Sequence, residues 1–78
     1  MSETLDRIVK AIAEKLRKDV SEIDPDASIS DLGIDSLDAI ELMFDLEEAL
    51  GQTLPDGFIT QDMSPRQIAE KLETLLSK

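Results

Sequence analysis

The sequence predicts an all-α fold, a small four-helix bundle with three longer helices and one short one. Three observations carry this. The chain has no Trp and no Tyr, and its only aromatics are Phe44 and Phe58, so the interior falls to Leu, Ile, Val, Ala and Met, which suit helix packing better than a sheet. Those side chains recur at the three-and-four spacing of buried helical stripes. The chain is also short: 78 residues make one domain, spanning 1–78, and a domain of this size buries only about 60% of the surface its unfolded chain exposes. With no cysteine, neither a disulfide framework nor a thiolate metal site supports it.

The first helix is expected from about Thr4 to Arg17, where Leu5, Ile8, Val9, Ile12 and Leu16 form one stripe. Arg17 and Lys18 suit its negative C-terminal end. From Asp19 to Asp35 there is no helical period long enough for a full element, and Pro25 and Gly33 interrupt the stretch. This predicts a long loop pinned to the core by Val20, Ile23, Ile29, Leu32 and Ile34; loops of this length in compact domains are usually functional.

The second helix is expected to start at Asp35 or Ser36, either of which makes a good N-cap, and to end at Leu50 before Gly51. At 100° per residue, Ala39, Leu42, Met43, Leu46, Ala49 and Leu50 share the core face. Leu37, Glu41, Phe44 and Glu48 lie opposite, with Ile40 on the shoulder. Three apolar side chains among acids on an outward face make a candidate partner site. From Asp56 to Met63 a short, weak helix is expected, since Gly57, Ile59 and Thr60 lower its propensity. The last helix opens on Ser64-Pro65-Arg66-Gln67, an N-cap, a first-turn proline and a capping-box glutamine, and continues through Ile68, Ala69, Leu72, Leu75 and Leu76.

Charge is distributed unevenly. Asp19 to Pro65 holds thirteen Asp and Glu and no Lys or Arg, within a chain of net charge −10. Such a balance excludes nucleic acid as a partner, since phosphate backbones call for Lys and Arg, and points to basic protein surfaces. The N-terminus has no apolar signal region and no run reaches the length of a membrane span, so a soluble, monomeric, cytoplasmic protein is expected.

Ser36 sits at the centre of the acidic tract. The chain has no histidine to activate a serine, so a hydroxyl displayed here suits an attachment point better than a catalytic nucleophile. Its plainest alternative role is a helix N-cap. The context is Asp31-Leu32-Gly33-Ile34-Asp35-Ser36-Leu37-Asp38, then Glu41-Leu42 and Leu46-Glu47-Glu48, with Asp24-Pro25-Asp26 before it and Leu54-Pro55 after it. Over nearly its whole length the chain resembles the acyl carrier protein family, of the freestanding type.

That resemblance implies an acyl-carrier-like bundle and a 4′-phosphopantetheine arm joined to Ser36 by a phosphodiester, placed there from coenzyme A by a phosphopantetheinyl transferase. Gly33, Asp35 and Leu37 flank the attachment point. The working thiol then belongs to the cofactor, which accounts for a chain with neither Cys nor His and makes it a carrier, with no catalytic residue of its own. The helix N-terminus favours the phosphate; Asp35 and Asp38 oppose it and are better explained as contacts for transferase cations. The resemblance further implies docking of acyl-transferring and acyl-modifying enzymes of fatty-acid, lipid or polyketide synthesis, through basic patches that meet Asp35, Leu37, Asp38, Glu41, Phe44, Glu47 and Glu48. Phe44 stands where the family more often has a smaller or unbranched apolar residue, which implies a different choice of partners from that of a general fatty-acid carrier.

Two other readings stay open. A peptidyl or aryl carrier is the nearest, although Leu32-Gly33-Ile34-Asp35-Ser36 looks more like the acyl than the Gly-Gly-rich peptidyl type. An acidic helical interaction module with no prosthetic group is the other. No dedicated metal site is expected: Asp24-Pro25-Asp26-Ala27-Ser28 opens like a calcium loop, but Ile29 stands where glycine is wanted and Asp35 where a bidentate Glu belongs.

Overall fold

A computed structural model describes residues 3–76. It contains three α-helices, α1 (Glu3–Leu16), α2 (Ser36–Leu50) and α3 (Pro65–Leu76), and a 3-10 turn at Val20–Glu22; no strand occurs among the described residues. Helix α1 packs against both other helices, more extensively against α3. No Cα of α2 comes within 8 Å of one in α3, so the core is completed by the connecting segments. Leu54, Phe58 and Ile59 from one connection join Ile23, Ile29 and Ile34 from the other in a single cluster with the buried stripes of the helices.

The helix ends follow from local chemistry. In α1 the predicted stripe is buried at Leu5, Ile8, Val9 and Ile12, with Leu16 packed at its edge. The helix closes with the Arg17 N–H on the Glu14 carbonyl and the Lys18 N–H on the Ala13 carbonyl, a Schellman arrangement that puts Arg17 at φ 58°. Helix α2 stops at Gly51, which takes the left-handed conformation (φ 66°). Helix α3 has the capping box that its sequence predicts: the Gln67 N–H donates to Ser64 Oγ (3.2 Å) and the Ser64 N–H to Gln67 Oε1 (2.9 Å).

Several expectations are corrected. Residues 56–63 form turns, and the short helical element lies instead at Val20–Glu22. The break comes at the left-handed Gly57, which cannot belong to a right-handed helix, and the segment is tied elsewhere. Gly57 sits at φ 72°, the Phe58 N–H turns back to the Pro55 carbonyl, and the carbonyls of Gln61 and Met63 accept the N–H groups of Ser30 and Ile29. The 3-10 turn is held by its own capping box between Asp19 and Glu22, which leaves Val20 half exposed and outside the core. Ala49 is exposed and Leu50 only partly buried, so the core face of α2 is Ala39, Leu42, Met43 and Leu46.

Candidate functional site

The backbone reaches Ser36 through a tight turn anchored at both ends. The Leu32 N–H donates to the Ser28 carbonyl, Gly33 to Ser30 and Ile34 to Ile29. Gly33 takes φ 96°, and nothing lies within 4 Å of where a Cβ would sit; the position favours glycine for its backbone angle, not for lack of space. Ile34 is buried to 1% exposure, and its carbonyl accepts a hydrogen bond from Gln61 Nε2 (3.2 Å). Because the Gln61 carbonyl accepts the Ser30 N–H, Gln61 clasps both sides of the turn.

Asp35 is the N-cap of α2: its Oδ1 accepts the Asp38 N–H at 2.8 Å. Ser36 is therefore the first residue of the helix and not its cap. Its side chain is exposed and, among the described residues, its hydroxyl makes no hydrogen bond. A hydroxyl so placed is open to carry a phosphodiester; the helix dipole favours that charge, while the Asp35 and Asp38 carboxylates beside it oppose it. No imidazole exists to deprotonate it, and the adjacent Asp35 carboxylate is engaged with the Asp38 amide.

From Ser36 the outward side of α2 runs along Leu37, Ile40 and Phe44, exposed by 63%, 48% and 57%. Three large apolar side chains on one face of a single helix are an exposed patch of the kind partners cover. Its acids differ in what they already do. Asp38 lies half-buried beside Leu37, and Glu48 is exposed beyond Phe44. Glu41 accepts a hydrogen bond from Lys15 Nζ at 3.2 Å, and Asp45 lies 3.9 Å from the same ammonium. Half-buried Glu47 accepts the Leu54 N–H at 2.6 Å and ties the end of α2 to the following segment.

Asp24 and Asp26 are each engaged within the protein. Asp24 Oδ1 accepts the Asp26 N–H, and the Asp26 carboxylate pairs with the Arg66 guanidinium at 2.7 Å, which holds its pKa below the ordinary carboxylate range. Among the described residues no group of three or more Asp or Glu side chains is placed to hold a metal ion. Two residues that shape this region are absent from the expected set, Lys15 and Gln61. Lys15 had a signal: three residues after Ile12 and seven after Ile8, it falls on the edge of the α1 stripe, within reach of a neighbouring helix. Gln61 had none, because its partner lies 27 residues away.

The phosphopantetheine attachment site family matches residues 6–72. An acyl carrier protein of Rubrobacter xylanophilus is 47% identical over 55 residues, covering 69% of this chain and 68% of that protein. An acyl carrier protein of Porphyromonas gingivalis is 40% identical over 57 residues, covering 72% and 73%. With an all-helical fold, a displayed serine on the first turn of α2 and this likeness over most of its length, the chain belongs to the acyl carrier protein family, whose prosthetic group is 4′-phosphopantetheine.

Proposed function

We propose that the chain acts as a single acyl-carrier domain that bears 4′-phosphopantetheine on Ser36 and presents acyl groups to enzymes of fatty-acid, lipid or polyketide synthesis in the cytoplasm. The arm supplies the thiol that holds the acyl group as a thioester. The observation that carries this reading is the Ser36 hydroxyl, exposed and unbonded at the head of α2 while Asp35 serves as the cap. Had Ser36 been the cap, its oxygen would already be committed to a backbone amide.

The docking face supports the same role. Leu37, Ile40 and Phe44 form an apolar centre; Asp38, Glu41 and Glu48 supply charge around it, and Asp35 and Glu47 add theirs from positions committed to the backbone. A small apolar centre in a one-signed rim gives fast, salt-sensitive encounter and modest affinity. A carrier that visits a transferase and then several acyl-handling enzymes needs both.

The test is incubation of the protein with coenzyme A and a phosphopantetheinyl transferase, followed by intact mass. One arm is added to wild type and none to Ser36→Ala. A wild-type mass unchanged by several transferases defeats the carrier reading in favour of an acidic interaction module. Loading with amino or aryl acids but not acyl groups would favour the peptidyl or aryl carrier.

A further inference from the structure

The outward face of α2 carries no basic residue of its own, yet one cation reaches it from another element. Lys15 on α1 places its ammonium 3.2 Å from Glu41 and 3.9 Å from Asp45. Those two carboxylates are one helical turn apart, the spacing at which like charges repel across a helix surface, and the ammonium between them offsets that repulsion. The lysine side chain is only 16% exposed while the two acids are 54% and 59% exposed. The cation is thus held close to the protein, and its partners face solvent and any incoming surface.

We propose that Lys15 is a resident counter-ion of the docking face, holding Glu41 and Asp45 until a basic partner surface displaces it. This rests on the docking role proposed above. The consequence is a graded face. Asp38 and Glu48, with no such cation beside them among the described residues, receive the first cations of a basic partner, while Glu41 engages only at the cost of its internal pair. Displacement is feasible because Lys15 borders an open groove of about 610 Å³ between α1 and α2, whose walls carry Glu14 as well as Arg7 and Lys10; a released ammonium stays hydrated there. A lysine locked in the core would have no such exit.

The probe is a phosphopantetheinyl transferase acting on the apo chain, with kcat/KM measured at low and at high salt for wild type, Lys15→Met, Glu41→Gln, Glu48→Gln and the Lys15→Met/Glu41→Gln pair. Methionine keeps the packed stem and removes the charge. Because its two acids face solvent, Lys15→Met is expected to raise kcat/KM about two- to fivefold at low salt, with the gain fading as salt screens the face. Glu41→Gln should cost more in the Lys15→Met background than in wild type. In the wild-type background, where no lysine variant needs to fold, Glu48→Gln should cost more than Glu41→Gln. Equal costs of Glu41→Gln in the two backgrounds, or a Glu41→Gln penalty matching that of Glu48→Gln, overturns the proposal while the carrier reading stands. A wild type that no transferase modifies removes both.

Discussion

Asp35 takes the Asp38 amide and by doing so releases its neighbour. Two side chains of similar capping strength stand in sequence, and the structure gives the backbone to the carboxylate and leaves the hydroxyl to solvent. Ser36→Ala should therefore abolish modification while leaving the melting temperature nearly unchanged, because no hydrogen bond among the described residues is lost; intact mass and a thermal melt check the two halves of that expectation. Arg17 is the opposite case, a residue whose backbone works against its identity. It closes α1 at φ 58°, a left-handed conformation that costs an ordinary residue roughly 1–2 kcal/mol. Arg17→Gly removes that cost but adds freedom to the unfolded chain, so the net gain is about 0.5–1 kcal/mol, visible as a rise of a few degrees in thermal unfolding. A lower melting temperature would show that the Arg17 side chain contributes more than its backbone costs.

Among the elements, α3 was the most legible in sequence and the segment before it the least. Ser64-Pro65-Arg66-Gln67 specifies its helix start through contacts three residues apart, and both bonds of the box form. Ser64→Ala should cost about 1 kcal/mol, measured as a lower urea midpoint with unchanged slope. Residues 56–63 could not be resolved in the same way, because Gly57 turns left-handed and the path of the segment is set by bonds from Ser30 and Ile29 to the Gln61 and Met63 carbonyls, far away in sequence. Local propensity signalled only that a helix here would be weak. Val20 fails as a core residue for a related reason: the Asp19–Glu22 box fixes a turn that points it outward. The candidate site divides likewise. Gly33, Asp35, Ser36 and the outward Leu37 and Phe44 follow from a contiguous motif and one helical period; the period of α1 puts Lys15 at the edge of its stripe without naming its partners, and Gln61 enters through a tertiary contact that no period encodes.

For the molecule as a whole, a net charge of −10 in 78 residues makes the placement of its few cations decisive. Lys15 serves α2 from α1. Arg66 joins α3 to the loop before α2 through the Asp26 carboxylate, and its N–H reaches the Pro25 carbonyl. The hydrogen bond from Arg66 holds the Asp26 pKa below the ordinary carboxylate range in the folded state. A depressed folded pKa contributes stability that is present above the unfolded value and lost as pH falls through the folded one. The stability difference between wild type and Asp26→Asn should hence be constant near neutrality and shrink in acid, below the ordinary carboxylate pKa; urea midpoints across that range check it, and a difference independent of pH would assign the effect to packing. Both groups are exposed, so salt should reduce the difference as well.

The clasp on the serine turn also sets an order of events. The Ile34 carbonyl is met by an amide 27 residues downstream, and Asp26 by a guanidinium 40 residues downstream. A polypeptide made from its amino end therefore contains Ser36 well before it contains the residues that clasp the turn in front of it. Local bonds within residues 28–34 shape that turn first, and the clasp from Gln61 is added only when the later segment folds back onto it.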